Sequence, residues 1–137
     1  MCMESLAKYK DFGLLILRVG IGIMFLLHGY PKISGGPEMW TKIGSATQFL
    51  GIHFAPVLFG LLAAASEFFG GICLILGLFF RPACLFMAIT MGVAATMHLG
   101  SGDGLNKASH AIELGIVFFS LMFIGPGPFS LDIRIKK

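Results

Sequence analysis

Apolar residues gather into four long runs separated by polar, Gly- and Pro-rich connections. The first, 12–30, is interrupted only by Arg18 and His28. The second, 56–80, carries Glu67 as its single ionisable group and opens on Pro56, which suits a first helical turn. The third, 82–99, is entered through a Phe80-Arg81-Pro82 corner. The fourth, 109–125, ends at Gly125-Pro126-Gly127-Pro128, which no helix crosses. About 20 apolar residues cross a bilayer as a helix, so the pattern predicts four transmembrane helices. Lys8 and Lys10 before the first run resemble a signal peptide's basic end. The absence of a small-x-small cleavage pattern and the further runs predict a retained helix.

The connection 31–55 is too long for a turn. Met39, Ile43, Ala46 and Leu50 recur at helical spacing, with Glu38, Lys42, Ser45 and Gln48 elsewhere. This predicts a short interfacial helix with Trp40 as a headgroup-level anchor. The connection 100–108 reads as a loop. No repeat or linker divides the chain, so 1–137 is read as one all-α, four-helix membrane domain.

Composition agrees with this reading. Of 137 residues, 56% are hydrophobic and 12% charged, and mean hydropathy is +0.88. An average soluble domain carries about twice that share of charge. The net charge of +3 is spread thinly at ends and connections, which leaves no nucleic-acid-binding face. With four spans both termini share a side, together with Lys8, Lys10, Arg81, Arg134, Lys136 and Lys137. The other side holds Lys32, Lys42 and Lys107, so the positive-inside rule places both termini in the cytoplasm. Cys2, Cys73 and Cys84 form no C-x-x-C pair, and the latter two read as small core hydrophobes.

Ionisable residues at membrane depth are costly and point to a site. Arg18 and Glu67 fall at similar depth on consecutive spans, which predicts an ion pair: either a charged wall of a pocket or a structural register lock. Gly60, Ala63, Ala64, Gly70 and Gly71 lie near the Glu67 face and admit a close neighbouring helix. His28, His98 and Glu113 are expected to converge below the outer surface as the catalytic set. His110 shares the Glu113 face, and Ser120 extends it. Such groups can exchange protons with a quinone headgroup. Arg18, Glu67, Lys32 and His110 are the candidate cofactor-binding residues, with Lys32 as a cation over the cavity. No H-x-x-E, H-E-x-x-H or C-x-x-C spacing marks a metal site, and no haem or iron–sulfur motif is present.

At these positions the chain resembles the DoxX family of small bacterial inner-membrane proteins. The resemblance is carried by Leu17-Arg18, Gly22, Phe25, His28-Gly29 and Lys32, then Glu67-x-x-Gly70-Gly71, Leu76-Gly77-Leu78 and Arg81. Met91, Ala94, His98, Glu113, Gly125-Pro126-Gly127 and Ser130-Leu131-Asp132 continue it. It implies a four-helix membrane fold in the bacterial inner membrane. It also implies a link to the DoxD-type subunit of thiosulfate:quinone oxidoreductase, and to thiol-stress complexes with a rhodanese-like partner. The paired thiols of a related redox-relay group are missing. Two functional readings stand: a redox-linked, quinone-binding subunit with a soluble or membrane oxidoreductase partner, or a non-catalytic scaffold or small-solute carrier. The Gly/Ala stripes also permit a homo-oligomer.

Overall fold

The computed structural model describes residues 4–135; Cys2, Lys136 and Lys137 lie outside the described residues. A 3₁₀ segment, Glu4–Tyr9, leads into α1, Lys10–Ser34. Then come α2, Gly36–Gly44, a 3₁₀ segment Ser45–Leu50, α3, Pro56–Leu76, and α4, Phe80–Gly100. Helices α5, Leu105–Ile124, and α6, Leu131–Ile135, complete the chain. Among the described residues, four helices are long and apolar enough to cross a membrane. Both ends of the described chain fall on one side, called here the terminal face, and α2 and the α4–α5 loop on the other, the loop face.

Several boundaries differ from the sequence expectation; the stretch 100–108 is not all loop, because α5 already begins at Leu105, four residues before the expected 109. Helix α1 runs through Pro31 to Ser34 rather than stopping at 30. Helix α3 ends at Leu76 because Gly77 takes the left-handed conformation (φ 62°), and Leu78 N–H bonds Cys73 O at 3.1 Å. Helix α4 begins at Phe80, two residues before Pro82, which sits in a first turn whose N–H groups have no intrahelical partner. The carboxylate of Asp132 caps that turn, accepting from Phe79 N–H at 3.0 Å and Phe80 N–H at 2.9 Å.

Small residues set the helix register. Gly22 lies on Gly71, where an added Cβ would meet the Gly71 carbonyl at 2.8 Å. Seven residues on, a Cβ on Gly29 would strike the Phe68 backbone at 2.5 Å. These two contacts seat α1 flat against α3. At the loop face, a Cβ on Gly60 would land on the Trp40 carbonyl, and one on Gly44 on the Pro56 carbonyl. Helix α2 therefore packs tightly on the start of α3, and Trp40 Nε1 donates to Lys32 O at 3.0 Å. Trp40 thus ties α2 to α1.

The core is built where α4 meets α5, from Cys84, Met87, Met91, Ala95, Ala111, Phe118 and Leu121. Phe25 of α1 closes the ring of helices edge-on to Phe118, with centroids 5.0 Å apart. Helices α3 and α4 pack less closely, meeting where Gly70 receives the Met87 side chain.

Candidate functional site

The parting of α3 and α4 opens a cleft of about 840 Å³. Its α3 wall follows a 3–4 spacing: Phe59, Ala63, Ser66, Gly70 and Cys73. Its α4 wall does the same, through Pro82, Phe86, Thr90, Ala94 and His98, and Ile43 and Thr47 roof it at the loop face. Small residues along the walls leave the space; Leu62, Phe69, Phe86 and Ile89, each more than half exposed, mark its mouth toward lipid.

Lys42 lines the cleft at the loop face, and an ion pair stands deeper in its largely apolar wall. Lys32 Nζ lies 2.6 Å and 2.8 Å from the two carboxylate oxygens of Glu67. The register explains the pair. Gly29 rests on the Glu67–Phe68 peptide, and Lys32, three residues later, shares that face. Helical side chains lean toward the N-terminus, so Lys32 reaches back into the membrane toward Glu67. The Glu67 side chain is 6% exposed and that of Lys32, which lines the cleft, 35%, so the lysine is the more open partner. Beside them Ser66 Oγ is buried and has no hydrogen-bond partner among the described residues. Ser66 escaped the sequence reading; its signal was a lone hydroxyl within a Gly/Ala face next to Glu67.

Arg18 does not pair with Glu67. It is 1% exposed and donates to the carbonyls of Pro126, at 3.2 Å, and Phe129. Gly77 gives it room: a Cβ there would overlap the guanidinium. Asp132 N–H bonds Gly77 O at 3.0 Å, and Ser130 Oγ donates to Gly127 O at 2.6 Å. Arg18 therefore locks the chain after α5 onto the α3–α4 corner. Ending the first span at 30 placed Arg18 too close to the depth of Glu67; the glycine contacts slide α1 so that Arg18 meets Gly77 instead.

The expected histidine–glutamate convergence is also not formed. His98 lines the loop-face end of the cleft, and its Nδ1 lies 2.8 Å from Asp103 Oδ2. Lys107 Nζ bonds the other Asp103 oxygen at 3.0 Å. These two hydrogen bonds, that from His98 first, hold the Asp103 carboxyl below the usual aspartate range. His28, His110 and Glu113 are exposed on the outer surfaces of α1 and α5. No hydrogen bond or ion pair joins them to His98 among the described residues. Nor do any three of His, Cys, Asp and Glu among the described residues stand together as a metal site.

The DoxX family model matches residues 13–99, which run from α1 through α4 and include Lys32, Glu67 and His98. The chain belongs to the DoxX family. As a DoxX protein it is 32% identical to the inner membrane protein YphA of Escherichia coli, over 93% of this chain and 97% of that one. It is 31% identical to an "Uncharacterized protein" of Haemophilus influenzae, over 98% and 99% of the two chains. A Bacillus subtilis protein named "Putative oxidoreductase CatD" is 32% identical over 67% of this chain and 64% of its own. No solved structure matches. The DoxX segment thus contains both walls of the cleft and the Lys32–Glu67 pair, whereas α5 and the terminal lock on Arg18 mostly follow it.

Proposed function

We propose that this DoxX protein is a redox-linked inner-membrane subunit whose α3–α4 cleft takes a lipid-soluble quinone. The observation that carries this reading is the Lys32–Glu67 ion pair set into a largely apolar cleft. The cleft volume lies within the roughly 300–1,000 Å³ range of small-molecule sites, and its mouth faces lipid, where such a ligand dissolves. Lys32 has three donors and spends two on Glu67, leaving one for a carbonyl oxygen. Ser66 offers a second, unpartnered hydroxyl. In this reading Glu67 holds and passes a proton, and His98, hydrogen-bonded to Asp103, relays one toward the loop face.

A bound quinone accepts two electrons and two protons. The chain has no haem or iron–sulfur motif, so the electrons come from a small reductant or an oxidoreductase partner. The oxidoreductase name of the Bacillus subtilis relative favours this reading over a passive scaffold or carrier. The excess of Lys and Arg on the terminal face favours termini in the cytoplasm.

Trp40 is the chain's single tryptophan and is hydrogen-bonded to Lys32 O, which makes it a reporter. Titrating a short-chain quinone into protein in mild detergent should quench Trp40 saturably. Lys32→Met and Glu67→Gln should each weaken the apparent affinity at least tenfold. Equal quenching in wild type and both variants would remove the proposal.

A further inference from the structure

Helix α5 carries polar groups on the side turned away from the bundle. Glu113 is exposed and lies only about 2 Å along the axis from the centre of α5. His110, one turn earlier, and Ser120, two turns later, are exposed too. None of the three side chains has a hydrogen bond or ion pair among the described residues. Lipid supplies no partner to a carboxylate at that depth, so this face requires a protein covering.

We infer that the outer face of α5 is a homodimer interface, in which the His110 ring of each copy donates to Glu113 of the other. Copies inserted in one orientation present their α5 helices in parallel. A twofold axis along the membrane normal then sets each His110 beside the opposite Glu113, which lies about 4.5 Å further along the helix. Both halves of the pair are present on one stripe, so the surface is complementary to itself. A foreign helix would have to supply both a donor and an acceptor at matching heights. Ser120 meets Ser120 of the second copy on the same line.

Native mass spectrometry of the protein released from mild detergent, with copper-catalysed cross-linking of Ser120→Cys, tests this. The wild type should be a dimer, and Ser120→Cys should cross-link between copies well above the wild-type background. Glu113→Lys should reduce the dimer fraction at least tenfold, and His110→Glu combined with Glu113→Lys should restore it. A monomeric wild type, absent Ser120→Cys cross-linking, or a Glu113→Lys variant as dimeric as the wild type would overturn the inference. Should Glu113→Lys fail to fold, cross-linking of Ser120→Cys in the otherwise unchanged chain decides.

Discussion

Lys32 grips both carboxylate oxygens of Glu67, at 2.6 and 2.8 Å, across the α1–α3 contact and at the edge of the cleft. The Glu67 side chain is nearly sealed, and that of Lys32 is not. The pair is therefore asymmetric: losing Lys32 strands a buried charge, while losing Glu67 frees a lysine that can reach the loop-face surface.

The two single variants should differ accordingly. Lys32→Met should destabilise the folded protein more than Glu67→Gln, by about 1–2 kcal/mol. The double variant should recover part of the Lys32→Met loss, leaving a coupling of about 1–3 kcal/mol in a double-mutant cycle. Unfolding in mixed detergent, followed by Trp40 fluorescence, reads all four corners. A coupling near zero would mean that the pair contributes nothing to the fold.

Arg18 belongs to a separate unit. Its guanidinium holds the Pro126 and Phe129 carbonyls, so Arg18→Leu orphans two acceptors and opens the lock around Gly77. The expected cost is about 3–6 kcal/mol, at roughly 1.5–3 per lost charged hydrogen bond. Its effect should add to that of Glu67→Gln within about 0.5 kcal/mol, because the two share no partner. Non-additivity beyond that margin would restore the direct pairing that depth alone suggests.

The contrast between these two charges marks how far the sequence could be read. Four apolar runs, the amphipathic stretch after the first, and the small-residue face around Glu67 all emerge as structure. Charge pairing did not follow, because it depends on helix register, and Gly22 and Gly29 fix that register through contacts with the α3 backbone. Ending the first span at 30 compounded the error, since α1 continues through Pro31 to Ser34. His28 and His98 lie toward the loop-face ends of their helices while Glu113 lies near the middle of α5, and depth in any case does not say which way a side chain turns about its helix. Ser66 carried little signal because a single hydroxyl in an apolar helix usually bonds its own backbone, which this one does not.

Glycine contacts give a sharper test of register. Gly29→Ala and Gly60→Ala place a Cβ against backbone that has nowhere to move, and each should cost about 3 kcal/mol or prevent folding. Gly20→Ala, also in α1 but facing open space, should be neutral or stabilising by up to about 1 kcal/mol. Thermal stability of purified variants distinguishes them. Equal behaviour of Gly20→Ala and Gly29→Ala would mean that α1 does not rest on α3 as described.

The loop-face cluster should make stability depend on pH on the acid side. Hydrogen bonds from His98 and Lys107 lower the Asp103 value in the folded state. The folded form then binds this proton less readily than the unfolded form, and stability rises with pH. The contribution is complete above the ordinary aspartate value of about 3.9 and is lost as pH falls through the lowered folded value. Melting curves at decreasing pH should show wild type and Asp103→Asn converging below that window. His98→Ala, which removes the largest cause, should shift the wild-type decline upward in pH. A constant gap between wild type and Asp103→Asn at all pH values would exclude this contribution.

Occupation of the cleft can be separated from the chemistry of its charges. Thr90 lines the α4 wall, and its Oγ1 is already committed to the Phe86 carbonyl at 2.9 Å. A larger side chain there intrudes into the cleft rather than the core, so Thr90→Phe should change stability by less than about 0.5 kcal/mol. The same intrusion should abolish saturable quenching of Trp40 by a short-chain quinone, with Lys32 and Glu67 both intact. If Thr90→Phe binds like wild type while Glu67→Gln does not, the ligand approaches the ion pair from outside the cleft, and the walls of α3 and α4 have no part in recognising it.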